Sequence, residues 1–154
     1  MKYEEWKSIR QSEFNNLPIF YAFSDRQFKA AMEKRGLTEN DTDQIYALGL
    51  GGYYLKKDAD AIRDWFNKPN ELPELMKDFD FAVGAFYYEM CNHEYGINWQ
   101  RDWDVCQCFG DCEYGDGKYG REYLKEMGYG DDVCKAYEFA KRKYYREAEK
   151  NEWF

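Results

Sequence analysis

The sequence predicts a mainly α fold, with α+β as the alternative: one compact helical domain over residues 1–154, carrying a short hairpin-like segment and a Cys-rich, Gly-rich acidic loop. Three observations lead there. Residues that favour strands are scarce, with only three Val, five Ile and two Thr. Apolar residues recur at helical spacing over several long stretches. Rings are abundant, with 15 Tyr, 11 Phe and 5 Trp, and each can bury about 150–250 Å² of core surface. Tyrosine leads, and its hydroxyl needs water or a partner, so part of this material belongs near the surface. A chain of 154 residues is of ordinary single-domain size.

The elements follow in order. A first helix runs from Lys2 to Asn15, with Tyr3, Trp6 and Ile9 inward, and Leu17-Pro18 ends it. Ser24 and Gln27 form a capping-box pair for the second, with Phe23 and Phe28 as its hydrophobic staple. Gly36 supplies a left-handed stop. After the acidic turn Glu39-Asn40-Asp41-Asp43, the stretch from Ile45 to Leu55 reads as extended or hairpin-like around Gly49, Gly51 and Gly52. Asp58 caps a helix burying Ile62, Trp65 and Phe66, which stops at Lys68-Pro69. Leu72 to Glu94 forms the central helix, with Leu75, Met76, Phe79, Ala82, Val83, Phe86 and Met90 at helical spacing. A last helix starts at Asp131 and presents Val133, Tyr137, Ala140, Tyr144 and Ala148 on one stripe.

Between those two helices the character changes. From Trp99 to Asp132 there are nine carboxylates, four cations and glycines at 110, 115, 117, 120, 128 and 130. Aliphatic residues are too few there for a core, so another agent is expected to fix the loop. Cys106, Cys108 and Cys112 fall within seven residues of one another, His93 and Cys91 precede them, and Cys134 follows. Thiolates and imidazole are the ligands that tetrahedral Zn²⁺ prefers. A loop poor in apolar groups gains most from an ion, because binding energy becomes folding energy. The expected cofactor is therefore structural zinc on Cys106, Cys108, Cys112 and His93, with Cys91 and Cys134 as substitutes. The spacing C-x-C-x₃-C differs from a zinc ribbon, and buried thiols that pack as small hydrophobes remain the alternative.

Other chemistries fit less well. His93 is the sole histidine, and Ile97 stands where a metalloprotease helix needs a second one. A Cys–His hydrolase would have to pair His93 with Cys91, Cys108 or Cys112. Gly49-Leu50-Gly51-Gly52 matches neither phosphate-loop pattern, and residues 111–117 lack the alternation of a calcium loop. The run Lys141-Arg142-Lys143 shares its helix with Glu138, Glu147 and Glu149, so no nucleic-acid footprint forms. Net charge −8 repels phosphate backbones and attracts basic proteins, although it is also ordinary for a soluble domain. Met1 to Lys7 contains no apolar signal-like stretch, and no run nears the roughly 18 apolar residues of a membrane span. Cysteines without such a signal point to the cytoplasm.

Several strings carry a resemblance: Trp103-Asp104-Val105-Cys106-Gln107-Cys108-Phe109-Gly110, Asn92-His93-Glu94-Tyr95, the stretches 17–24 and 49–54, and the closing stretch 140–148. Together they resemble a family of small acidic proteins encoded by bacteriophages and mobile elements of bacteria. In size, acidity and expected zinc content the chain is similar to anti-CRISPR proteins, the small inhibitors that bind Cas9. That resemblance implies a non-catalytic inhibitor of a host defence nuclease, with basic Cas9 as partner and no direct contact with nucleic acid or membrane. It would act in the cytoplasm of the bacterial host cell. The acidic loop would be the docking surface, through Asp102, Asp104, Asp111, Glu113, Asp116, Asp131 and Asp132. A zinc-stabilised adaptor of another host or phage protein, and a small Cys–His hydrolase, are the rival expectations.

Overall fold

A computed structural model describes all residues from Met1 to Phe154. Eight α-helices and one three-stranded sheet make the protein mainly α with a small β component. No helix is long and apolar enough to cross a membrane. The chain divides into two compact units, one of Arg10–Pro69 and one of Met1–Ile9 with Asn70–Phe154, and the division falls inside the first helix, α1 (Tyr3–Asn15).

The unit of residues 10–69 contains the sheet. Strands β1 (Ile19–Tyr21), β2 (Ile45–Gly49) and β3 (Gly52–Leu55) pair antiparallel in the order β1-β3-β2. The register sets Phe20 opposite Tyr53 and Tyr46 opposite Tyr54, with an irregularity between Ala47 and Gly49. The hairpin turn places Gly49, Leu50 and Gly51 all at positive φ, which explains the two glycines there. Helix α2 (Asp25–Lys34) packs on the sheet, and Phe20, Met32 and Ile45 form the local core with Phe28, Leu37, Tyr53 and Leu55 around them. Ser24 Oγ accepts from the Gln27 N–H as expected, while the Gln27 side chain reaches back one residue further, to the Phe23 N–H. Phe23 is three-quarters exposed and stacks on Tyr21, so it does not serve as a buried staple. Helix α3 (Ala59–Phe66) buries Ile62 and leaves Phe66 half-exposed; Trp65 meets the ring of Phe14 and lies under Arg10.

In the other unit the expected helix from Leu72 to Glu94 is two helices. A short α4 (Leu72–Leu75) is followed by α5 (Phe79–Asn92), because Asp78 takes extended backbone and its carboxylate accepts from the Phe81 N–H at 2.7 Å. This is an N-cap placed inside an apolar run. Helix α8 (Asp131–Lys150) packs along α5, and its expected stripe of Val133, Tyr137, Ala140, Tyr144 and Ala148 is buried. The alanines bring the helices close, while Phe86 meets Tyr137 edge-on at 5.0 Å and Phe109 at 4.7 Å.

The glycine-rich stretch is more regular than its composition implies. Helix α6 (Arg101–Cys106) runs into a 3₁₀ turn (Gln107–Phe109), and α7 (Gly120–Glu126) follows. Aromatic residues replace the missing aliphatics: Tyr95, Phe109, Tyr123 and Tyr129 are buried with Val105, Cys106 and Leu124. A Cβ on Gly120 would lie 2.2 Å from the Tyr137 ring, so the glycine permits the approach of α7 to α8.

Candidate functional site

The last turn of α5 carries Glu89, Asn92 and His93, and residues four apart on a helix share a face. Tyr3 and Lys7 repeat that spacing on α1. Glu89 is 1% exposed, and two groups converge on its Oε1: the Tyr3 hydroxyl donates at 2.7 Å and the Lys7 ammonium at 2.7 Å. Lys7 Nζ also sits 5.1 Å from the centre of the Tyr88 ring. Oε2 faces the other way, with Asn92 Nδ2 at 3.3 Å and His93 Nε2 at 3.5 Å. Cys108, from the 3₁₀ turn, completes the group with its Sγ 3.4 Å from His93 Nε2. Glu89, His93 and Cys108 offer three ligand atoms that all lie within 4.8 Å of one another.

Burial alone would raise the Glu89 carboxyl, but hydrogen bonds from Lys7 and Tyr3 and the Lys7 charge outweigh it and hold the group below its ordinary value. The Cys108 thiol moves the other way. Burial, then the Glu89 carboxylate, push it up to about 12, with Lys7 opposing in part. A thiol raised so far is protonated at neutral pH and a poor nucleophile.

Of the four expected ligands, the structure brings Cys108 and His93 together, and it adds Glu89. Cys106 lies outside that cluster: two residues apart on a helical turn point to different sides, so Cys106 is fully buried with its Sγ on the Gly120 carbonyl at 3.8 Å. Burial, then the Asp102 charge, push its thiol well above the usual range. Cys112 follows Gly110 and is half-buried, with its backbone carbonyl accepting from Trp103 Nε1 at 3.1 Å. Cys134 is buried at the start of α8 and Cys91 is exposed on α5. Glu89 escapes a reading confined to cysteine spacing. The signal that points to it is the Glu-x-x-x-His step along α5.

The seven acidic residues of the expected docking loop divide into four groups. Asp102 does not face outward: it is 8% exposed and accepts from the hydroxyls of Tyr95, at 2.6 Å, and Tyr137. A carboxylate with two buried donors is an internal fixture of the core. Asp104 is half-buried and holds Asn98 and Gln107. Asp131 is exposed, yet Arg121 and Lys125 both pair with it, and Asp132 has Lys135 at 3.8 Å. Asp111, Glu113 and Asp116 are exposed and make no ion pair. Beside them stand Trp99, 78% exposed, Tyr119, 67% exposed, and Tyr114, whose ring meets both Trp99 and Trp103 edge-on. Trp99, Trp103, Tyr114, Asp116 and Tyr119 line one shallow hollow; Asp111, Cys112, Glu113 and Glu126 line a second, and Lys118 borders both.

Fold and site together define a small acidic helical protein with a partly exposed Glu–His–Cys cluster built on the buried Glu89, and with an acidic, ring-bearing surface. Residues 2–109 match a family of unknown function (DUF7659), and the chain belongs to that family. The matched span contains Tyr3, Lys7, Glu89, Asn92, His93 and Cys108, whereas Asp111, Glu113 and Asp116 lie beyond it. No curated protein and no solved structure matches the chain.

Proposed function

We propose that this protein, encoded by a bacteriophage or mobile element, acts without catalysis as an inhibitor of a host defence nuclease, most concretely as an anti-CRISPR that binds Cas9. The observation that carries the reading is the surface on residues 99–119, where the unpaired Asp116 shares a hollow with the exposed rings of Trp99, Tyr114 and Tyr119, and the unpaired Asp111 and Glu113 line the next hollow, with Lys118 at the border of both. Tyr and Trp are the anchors that dominate protein interfaces, and unpaired acids beside them select a basic partner. Cas9 holds its nucleic acid in a positively charged channel and must move its domains to cleave. An acidic surface docked on that channel would block DNA loading or the domain movement. The resemblance of stretches 17–24, 49–54 and 103–110 to proteins of phages and mobile elements supports the same direction. On this reading the protein works in the cytoplasm of the bacterial host.

The hydrolase alternative gains a neighbouring Cys108 and His93, but burial and the adjacent Glu89 carboxylate work against a thiolate nucleophile there. The test is capture of purified Cas9, with and without guide RNA, together with a DNA-cleavage assay. Binding and slowed cleavage by the wild-type protein, both weakened in Trp99→Ala, support the proposal. Undiminished cleavage with no capture removes it.

A further inference from the structure

We propose that Glu89, His93 and Cys108 form a zinc site, with Oε2, Nε2 and Sγ as the three protein ligands and water as the fourth. The spacing is the first argument. With Zn–S near 2.3 Å and Zn–N or Zn–O near 2.0–2.2 Å, neighbouring ligand atoms of a tetrahedral ion stand about 3.3–3.6 Å apart. Sγ to Nε2 is 3.4 Å and Nε2 to Oε2 is 3.5 Å, so two edges of such a tetrahedron are already in place. The third pair, Sγ and the carboxylate oxygen, lies within 4.8 Å and needs a movement of at most about 1.5 Å to reach that edge length, within reach of a side-chain rotation.

Hydrogen bonding accounts for only part of the same geometry. The protonated thiol can donate to Nε2 or to the Asp104 carbonyl at 3.5 Å, but Nε2 to Oε2 at 3.5 Å lies beyond the usual N–H···O range of about 2.7–3.2 Å, which leaves that edge without a good bond. A single ion between the three atoms satisfies all of them at once. Glu89 is also prepared as a ligand. Tyr3 and Lys7 both hold Oε1, which turns Oε2 towards His93 and Cys108. Hydrogen bonds to the outer oxygen of a ligating carboxylate are the usual support of a metal site. Lys7 does not have to leave; its side chain is 40% exposed, so water screens the charge it places near the ion. When the ion binds, the thiol proton passes to solvent as the Zn–S bond forms. His93 is 28% exposed, which leaves a path for the ion and a place for the water ligand. Mixed N, S and O donors suit zinc better than calcium or magnesium, which take oxygen alone.

The site is independent of the docking face, and its failure would leave the capture result with Cas9 untouched. Protein stripped of metal by chelation is titrated with Co²⁺ as a spectroscopic probe, then with Zn²⁺ in competition, in a Cys91→Ser background to remove the exposed thiol. The expected result is one equivalent of tetrahedral cobalt with a charge-transfer band of one thiolate, displaced by zinc. Cys108→Ser and His93→Ala should abolish that spectrum, Cys106→Ser and Cys112→Ser should retain it, and Tyr3→Phe should weaken affinity about 10-fold. Far-UV circular dichroism confirms that each variant is folded. The spectrum of the Cys91→Ser parent is decisive by itself: a band of three thiolates, or no stoichiometric uptake at micromolar metal, overturns the proposal. Retention of the spectrum in folded Cys108→Ser overturns it equally.

Discussion

Glu89 and Asp102 are both acids removed from water, and each has its own fixed donors. Removing one partner of a buried pair costs about 3–5 kcal/mol when the other is stranded. Lys7 can regain water, so Glu89→Ala should cost nearer about 2–3 kcal/mol, read as a shift in the urea midpoint at constant slope. The pH dependence has a defined sign. The folded carboxyl of Glu89 lies below its ordinary 4.5, so between those values the unfolded chain binds the extra proton. Its contribution is therefore complete above about pH 5 and lost as the pH falls through the folded value. Denaturation at pH 7 and at pH 3–4 should show a smaller acid loss in Glu89→Gln than in wild type. Asp102 presents a single oxygen, Oδ1, to both tyrosines. Asp102→Asn keeps that acceptor and should cost about 1 kcal/mol, whereas Asp102→Ala strands two hydroxyls and should cost about 2–4 kcal/mol. Melting temperatures of the two variants distinguish an internal role from a docking role, in which both would be benign to stability. Neither acid is legible from charge patterning, because a sequence shows that a carboxylate exists and not whether tyrosines converge on it.

Helices carry their own signals unevenly. The stripe on α8 is readable because small and aromatic residues recur at one period with charges on the other face. The break before α5 is hidden, since Asp78 sits among apolar residues and only its backbone, turned to the extended region, makes it a cap. Strand β1 escapes the sequence because three residues are too short for a period to show, and its pairing with β3 is non-local. The stretch between α5 and α8 looks slack for want of aliphatics, yet tyrosines and phenylalanines give α6 and α7 their footing. Two glycines separate packing from flexibility. Gly120→Ala places a methyl into the Tyr137 ring and should destabilise by about 1–3 kcal/mol. A methyl added at Gly84, exposed within α5, would meet no atom within 4 Å, so Gly84→Ala should stabilise by about 0.5–1 kcal/mol. Thermal melts of the pair check both signs.

At the scale of the molecule, a surplus of negative charge would set how a basic partner is met more than how tightly it is held. If the 99–119 face docks on a basic surface, Asp111→Lys, Glu113→Lys and Asp116→Lys combined should slow association with Cas9 about 10-fold or more at low salt. The gap should close as salt rises and screening shortens. Stopped-flow association at two ionic strengths measures it; equal rates at both would assign the acids to solubility alone. Composition announces this charge, but not that Arg121, Lys125 and Lys135 engage part of it internally.

The bond from Tyr3 to Glu89 joins residues 86 positions apart. At ribosomal speeds of about 5–20 residues per second, the turn that carries Tyr3 emerges about 4–17 s before its acceptor does. During that wait Tyr3 and Lys7 have no carboxylate to meet, so their end of the cluster can be completed only once α5 has been made.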